Sequence, residues 1–115
     1  MNQQALITQI LAQRERWLEI EPGKRLKLRR PDRWGAQLFR KGDVDLLLAQ
    51  VVDWEGFTEA DLLGATIGAE DPVPFGQDLF RTVARDRLEW IEQVTTQLLD
   101  MIQQAFDKEE AAAKN

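Results

Sequence analysis

A stretch near the middle of the chain, Val51–Leu62, constrains the fold more than any other part of the sequence. Thr58 is a favourable helix N-cap, and Asp61 stands three residues later, as in a capping box. Phe57 and Leu62 flank this pair with the five-residue spacing of a hydrophobic staple. We therefore predict that a helix begins at Thr58 and that its start is pinned to the core by apolar side chains.

The same pattern recurs shortly downstream. Phe75 precedes Gly76, and Phe80 follows five residues after Phe75, which again has the spacing of a staple. The intervening link contains Pro72 and Pro74, which are rigid and end regular structure. The sequence thus predicts two stapled helix starts joined by a compact connector, and none of its residues is a reactive group.

An alternation of basic and apolar residues predicts a β-hairpin near the N-terminus. Residues 25–29 alternate strictly, and Pro22 and Gly23 before them favour a type II turn back to residues 17–20. Apolar residues of the second strand would face the core (Leu26, Leu28) and basic ones would face water (Arg25, Lys27, Arg29). Because an isolated hairpin is marginally stable, it must pack on helices or pair with a neighbouring subunit.

Helical periodicity predicts helices on both sides of this hairpin. The first covers residues 2–16, with apolar residues at helical spacing (Leu6, Ile7, Ile10, Leu11). A second begins at Pro31, carries an apolar stripe and ends with basic residues and a glycine (Trp34, Leu38, Phe39, Arg40, Lys41, Gly42). A third, capped by Asp43, covers residues 44–52 as the core helix, although this apolar run also fits a buried strand.

The C-terminal third is also predicted to be helical. Residues 64–72 form a loop, and the helical period resumes at Gln77. Asp86 and Glu89 indicate a second capping box, so a break is expected near residues 85–87. An apolar stripe then continues to Phe106. We expect an α+β, mainly α-helical domain of about five helices and one short basic hairpin, spanning residues 1–106, followed by a charged, frayed tail over residues 107–115.

Charge is distributed unevenly along the chain. Ten basic residues stand against four acidic ones through Lys41, a balance of +6, and five stand against sixteen from Gly42 onward, a balance of −11. Such asymmetry can serve a partner surface or let the two halves attract each other within the fold. The basic segment at residues 24–30, near Trp34, could contact phosphate, but the sequence pI of about 4.8 and the lack of a recognised motif argue against nucleic-acid binding.

Composition argues against catalysis. The chain has no cysteine and no histidine, so it lacks thiolate and imidazole nucleophiles, bases and metal ligands. The acidic residues between 43 and 61 do not follow the spacing of a calcium-binding loop. The start of the chain lacks the basic and apolar pattern of a signal peptide, and no apolar run is long enough to span a membrane. We expect no enzyme, no catalytic or metal-binding residues, no cofactor and no membrane partner.

The central motifs resemble those of a known group. Asp53-Trp54-Glu55-Gly56-Phe57-Thr58 followed by Asp71-Pro72-Val73-Pro74-Phe75 is similar to the centre of the small tail assembly chaperones of long-tailed bacteriophages. Members of that group often carry Trp-x-Gly-(Val/Phe)-Thr, then Pro-Val-Pro-Phe, then a closing helix. Residues 17–20 and 24–31 resemble the basic entry to the same domain. This chain departs from the group at Gly76-Gln77, where Ser-Pro is usual, and at residues 85–88, which lack a proline.

The resemblance implies a protein of the bacterial host cytoplasm that holds the tape-measure protein soluble and helps recruit tail-tube subunits. Two other hypotheses remain open: a structural tail or neck component retained in the virion, and a small acidic phage protein that inhibits a host nucleic-acid-binding machine. The residues expected to contact a protein partner, or a second copy of the chain, are two tryptophans, the basic segment and the apolar stripe of the last helix (Trp17, Lys24, Arg25, Lys27, Arg29, Arg30, Trp34, Ile91, Leu98, Ile102). Trp54 and Trp90 are expected in the core.

Overall fold

The computed structural model describes residues 1–39 and 42–114, without the side chains of residues 38 and 109–114. These residues contain six helices and three strands: α1 Gln3–Ala12, β1 Glu15–Glu21, β2 Lys24–Arg29, α2 Arg33–Phe39, α3 Val44–Ala49, β3 Val51–Glu55, α4 Glu59–Leu63, α5 Gln77–Ala84 and α6 Leu88–Lys114. Helices account for more than half of the chain. The mainly helical α+β class is therefore confirmed, with six helices where about five were expected.

The predicted basic hairpin is present and has a third strand. The three strands form an antiparallel sheet in the order β1-β2-β3, so the basic strand β2 is central. Gly23 in the β1–β2 turn has φ +78°, as the third position of a type II turn requires. Leu26 and Leu28 are fully buried, as the alternation predicted. The hairpin is thus completed by β3 of the same chain.

The predicted core helix over residues 44–52 is wrong in its last three residues. Asp43 caps α3 as expected, and its carboxylate accepts from the backbone N–H groups of Asp45 and Leu46 at 2.9 and 3.2 Å. However, α3 ends at Ala49 and the chain enters β3 at Val51. The β-branched residues that follow suit a strand, and pairing with β2 outweighs the helical period of the apolar run.

Both predicted helix starts are present, with α4 beginning at Glu59 and α5 at Gln77. The hydroxyl of Thr58 accepts from the Asp61 N–H at 3.2 Å, while the Asp61 carboxylate accepts from the Thr58 N–H at 2.8 Å. The proline-containing link folds back onto this start, because the Val73 N–H donates to the Phe57 carbonyl at 2.9 Å. Phe75 lies 6.0 Å from Phe80 between ring centroids across the start of α5. The connector is therefore tied to both helices that it joins.

An aromatic cluster occupies the centre of the core. Trp54 of β3 stacks on Phe57 at 4.5 Å, and Phe57 packs edge-on against Trp90 of α6 at 5.5 Å. Trp54 also lies within 6.4 Å of Phe75 and Phe80, and its indole N–H donates to the Val73 carbonyl at 2.8 Å. The expected core positions of Trp54 and Trp90 are confirmed, because both are almost completely buried.

Helix α2 turns a different face to the core than expected. Asp32, and not Pro31, starts the helix, and its carboxylate accepts from the Gly35 N–H at 2.7 Å. Ala36 and Phe39 are buried, whereas Trp34 is 73% exposed and does not belong to the buried face. The predicted roles of Arg40 and Lys41 at the helix end, and of the Leu38 side chain, lie outside the described residues.

The last two helices are separate, and the second is long. The predicted break is confirmed, because α5 ends at Ala84 and α6 begins at Leu88. Helix α6 has 27 residues and includes residues 107–114, which were expected to fray. The radius of gyration is 16.2 Å, against about 13 Å for a compact domain of this length. Within residues 1–39 and 42–114, no helix combines the length and apolarity needed to cross a bilayer.

Candidate protein-binding surface

The basic residues of β2 lie between acidic neighbours on both sides. Arg25 is opposite Glu19 of β1 and Glu55 of β3, and Arg29 is opposite Glu15. This arrangement follows from the central place of β2, since directly opposed residues of antiparallel strands bring their side chains together. The alternating acidic residues of β1 and β3 were visible in the sequence, but only the register of the strands shows which basic side chains lie opposite them.

These register partners form ion pairs. Glu15 accepts from Arg29 at 2.8 Å and lies 3.7 Å from the Lys27 ammonium group. Arg25 pairs with Glu55. The Lys24 ammonium lies 3.4 Å from the Asp61 carboxylate at the start of α4. Much of the positive charge expected to face a partner is therefore compensated within the fold, which favours the internal explanation of the charge asymmetry.

The two tryptophans expected at the surface do lie there. Trp17 is half-buried on β1, with the Arg25 guanidinium 4.5 Å and the Lys27 ammonium 5.6 Å from its ring centroid. Trp34 on α2 is 73% exposed. Arg30, at the end of the basic segment, donates to the Pro31 carbonyl at 3.2 Å. Trp17 is thus covered by neighbouring cations, whereas Trp34 presents an open aromatic face.

The three candidates on α6 differ in accessibility. Leu98 and Ile102 are buried in the core, so in the folded chain they support the fold and do not reach a partner. Ile91 is half-buried and lines a groove of about 360 Å³ between α3 and α6. Val44 and Leu99, which line the same groove, are 39% and 46% exposed. The groove is therefore an accessible apolar surface that contains one of the predicted contact residues.

Helix α1 presents a second apolar surface. Its start is stabilised by the Asn2 carboxamide, which accepts from the Ala5 N–H at 2.7 Å. Leu6, Ile7 and Ile10 are 50%, 49% and 41% exposed, and no residue of α1 is buried. The sequence had predicted this helix and its apolar spacing, but it placed the helix end near Arg16, whereas α1 ends at Ala12 and β1 begins at Glu15. It also did not predict that the apolar face would be left open. A pattern that could have indicated it is the absence of charged side chains before Arg14.

The capping box perturbs one titratable group near the basic strand. The Thr58 backbone N–H holds the pKa of the Asp61 carboxyl below its ordinary value, although burial acts in the opposite direction. The Thr58 hydroxyl and the positive charge of Lys24 contribute to the lowering. Asp61 is therefore a structural anion that joins α4 to the sheet.

The surface features described above are suited to binding. In the part of the chain that the structure describes, no cluster of three or more acidic side chains is placed to hold a metal ion. The exposed apolar face of α1, the groove beside Ile91 and the open ring of Trp34 can each contact another polypeptide.

No protein-family model, curated protein or solved structure matches this chain.

Proposed function

We propose that this chain is a tail-assembly-chaperone-like protein of a long-tailed bacteriophage or prophage that acts by binding proteins and performs no catalysis. In the bacterial cytoplasm it binds helical segments of the tape-measure protein, keeps that protein soluble and helps recruit tail-tube subunits. The resemblance of residues 53–58 and 71–75 to the tail assembly chaperones motivates this proposal. The surface supports the part of it that concerns protein binding.

The open apolar face of α1 is the observation that carries the proposal. Helix α1 has no buried residue, so its exposed apolar side chains lie in water unless another molecule covers them. An amphipathic helix of a partner fits such a face, because side chains at helical spacing interdigitate along the contact. The lack of charged side chains on α1 means that a client helix meets no like charge there.

The strength of this contact suits a chaperone. Full burial of a leucine or isoleucine side chain contributes about 1.5–3 kcal/mol, so covering three half-exposed chains contributes about 2–4 kcal/mol before ordering costs. Such a contact is weak when it is single. Repeated along a long helical client by several copies, it becomes effective through multivalency and still allows tube subunits to displace each copy.

Co-expression with the products of adjacent genes tests the proposal. We expect the tape-measure protein to stay soluble and to co-purify with the wild-type chain. The informative variant combines Leu6→Glu with Ile10→Lys, which removes the apolar face while keeping the net charge. The new pair is spaced i,i+4 with glutamate first, so it stabilises the helix itself. We expect co-purification to fall at least tenfold.

A matched control places the same changes at exposed positions elsewhere. Ile67 and Leu88 are 77% and 66% exposed, so Ile67→Lys with Leu88→Glu also replaces two exposed apolar residues at constant net charge. This control should co-purify with the client as the wild type does. Equal capture by the α1 variant would refute a role for that face. Finding the chain in purified virions, with no capture of the tape-measure protein, would favour the structural tail or neck component instead.

A further inference from the structure

The outer side of β1 is a free edge of the sheet. This strand has seven residues, and within the described chain β2 is the strand that pairs with it. The Arg30 N–H donates to the Arg14 carbonyl at 2.9 Å, which continues the β1–β2 ladder by one residue. Because an antiparallel ladder bonds alternate residues, Arg16 and Leu18 turn their backbone groups toward β2. The N–H and C=O groups of three residues therefore point away from the sheet (Glu15, Trp17, Glu19).

These outward backbone groups have no hydrogen-bond partner within residues 1–39 and 42–114. The opposite edge of the sheet is different. There the Gln77 carboxamide donates to the Val51 carbonyl at 3.0 Å, so the start of α5 lies against β3. An open row of unpaired N–H and C=O groups is a template for a further strand. The edge of β1 is therefore suited to β-augmentation, in which an extended segment of a partner joins the sheet.

The charges on β1 select the kind of segment. The strand carries three glutamates and one arginine. Glu15 is paired with Arg29 and Lys27, but Glu19 and Glu21 have no ion pair in the part of the chain that the structure describes. The net charge of −5 also attracts a basic segment. A strand with basic residues at alternate positions would thus place them beside carboxylates that the fold leaves unpaired.

The same charges argue against pairing between two copies of the chain. Antiparallel pairing of two β1 strands about a two-fold axis is centred on one residue of the strand. A centre at Trp17 brings Glu15 opposite Glu19, and a centre at Arg16 brings two arginines together. Every centre from Glu15 to Glu21 places like charges opposite each other, which destabilises a sheet. The occupant that fits this edge is therefore a different polypeptide.

We propose that the free edge of β1 binds an extended basic segment of a partner protein by β-augmentation. Basic side chains lie beside Glu15 and Glu19 on the outer face of the sheet, and apolar ones lie beside the half-buried Leu18 on its other face. This site uses backbone pairing and is separate from the apolar face of α1. The proposal therefore goes beyond the function proposed above and does not depend on the identity of the client.

An NMR titration of the full chain tests the proposed pairing. The probe is a blocked heptapeptide, Lys-Val-Lys-Val-Thr-Val-Lys. At saturation, we expect hydrogen exchange of the Glu15, Trp17 and Glu19 amides to slow at least tenfold, because each N–H gains a partner. Binding that leaves these amides exchanging as before would overturn the proposal. Slow exchange of the same amides in a dimer without peptide would also overturn it, since a second copy would then occupy the edge.

Two N-methylated forms of the heptapeptide separate backbone pairing from simple charge attraction. When the lysines lie beside the glutamates, the lysine N–H groups face β1 and the valine N–H groups face away. N-methylation of the two lysines nearest the threonine should therefore weaken binding at least tenfold. N-methylation of the two valines nearest the threonine is the matched control and should weaken binding less than threefold. Equal effects of the two modifications would refute β-augmentation.

A pair of double variants tests the choice of a basic segment. Glu19→Gln with Glu21→Gln removes two charges from β1, and glutamine at position 19 can still accept from the Gly23 N–H. We expect it to bind the heptapeptide at least fivefold more weakly at low salt, where charges are least screened. Its matched control, Glu70→Gln with Glu92→Gln, removes two exposed charges elsewhere and should change the affinity less than twofold. Equal effects would refute a role for the β1 carboxylates.

The two proposals of this article fail independently. The variant Leu6→Glu with Ile10→Lys should bind the heptapeptide as the wild type does, because it changes α1 and keeps the net charge. Loss of peptide binding in that variant would contradict a site confined to β1.

Discussion

At the scale of single residues, Gly56 is the position where the backbone allows least change. It has φ +88°, and a Cβ atom there would lie 2.0 Å from the carbonyl oxygen of Gly23 in the β1–β2 turn. Gly56→Ala should therefore cost about 3 kcal/mol or more, since it combines backbone strain with a clash against main-chain atoms. Urea and thermal unfolding would measure this as a decrease in Tm of more than about 10 °C.

A variant at a second glycine separates backbone strain from steric clash as causes of the lost stability. Gly64 also has positive φ, +97°, but a Cβ atom there would meet nothing within 4 Å. Gly64→Ala therefore adds backbone strain alone and should cost about 1–3 kcal/mol, because its ψ of 149° lies in a region that essentially only glycine adopts. If both variants lost the same stability, the close approach of Gly56 to Gly23 would not contribute.

The glycine pair also illustrates what residue patterns could and could not predict. The turn at Gly23 and the cap at Thr58 were predicted, because each depends on neighbours within a few residues. The contact between Gly56 and Gly23 joins distant parts of the chain and has no local pattern. The apolar stripe of α2 is a related case: the spacing placed Trp34 on the same stripe as Phe39, but Ala36 and Phe39 are buried and Trp34 is 73% exposed.

At the scale of elements, the start of α4 gives the chain a pH dependence. The pKa of Asp61 is lowered in the folded state, chiefly by the Thr58 N–H. Its contribution to stability is therefore complete above the ordinary aspartate pKa of about 3.9 and is lost as the pH falls through that value and then through the folded one. Asp61→Asn should cost about 1 kcal/mol at pH 7 and make unfolding less sensitive to pH below about 5.

Urea unfolding at pH 7 and pH 3 would measure both effects. Glu59→Gln is the control, because this exposed neighbour in the same first turn takes no part in the capping box. It should leave the stability at pH 7 within about 0.5 kcal/mol of the wild type. A wild-type pH dependence in Asp61→Asn would mean that another group is responsible for the acid sensitivity.

Elements were predicted well where one pattern dominated and poorly where two patterns fitted. The alternation at residues 25–29 has only one interpretation, and β2 formed there. The run at residues 44–52 fits a helix and a buried strand equally, and the chain uses it for α3 and then β3. On α6, the helical spacing of apolar residues identified an apolar side of the helix, but it did not show what covers that side. Leu98 and Ile102 are covered by the core, and Ile91 remains beside an open groove.

At the scale of the whole molecule, the fold consists of a packed body and an apolar helix that adds little to it. The sheet, α3, α5 and α6 supply most of the buried residues around the aromatic cluster, whereas α1 supplies none. Stability and partner binding should therefore depend on different residues. This separation is what the proposed function requires, because a chaperone surface must stay available without weakening the fold.

Deletion of residues 1–12 tests that separation. Since no residue of α1 is fully buried and only Ala5 and Leu11 are partly covered, the deletion should change the free energy of unfolding by less than about 1 kcal/mol and Tm by less than about 5 °C. Capture of a helical client should nevertheless be lost. Leu98→Ala is the contrasting change: it empties a fully buried position and should cost about 2–5 kcal/mol while leaving the α1 surface in place. If the deletion destabilised the chain as much as Leu98→Ala, α1 would be part of the body, and its apolar face would not be a free binding surface.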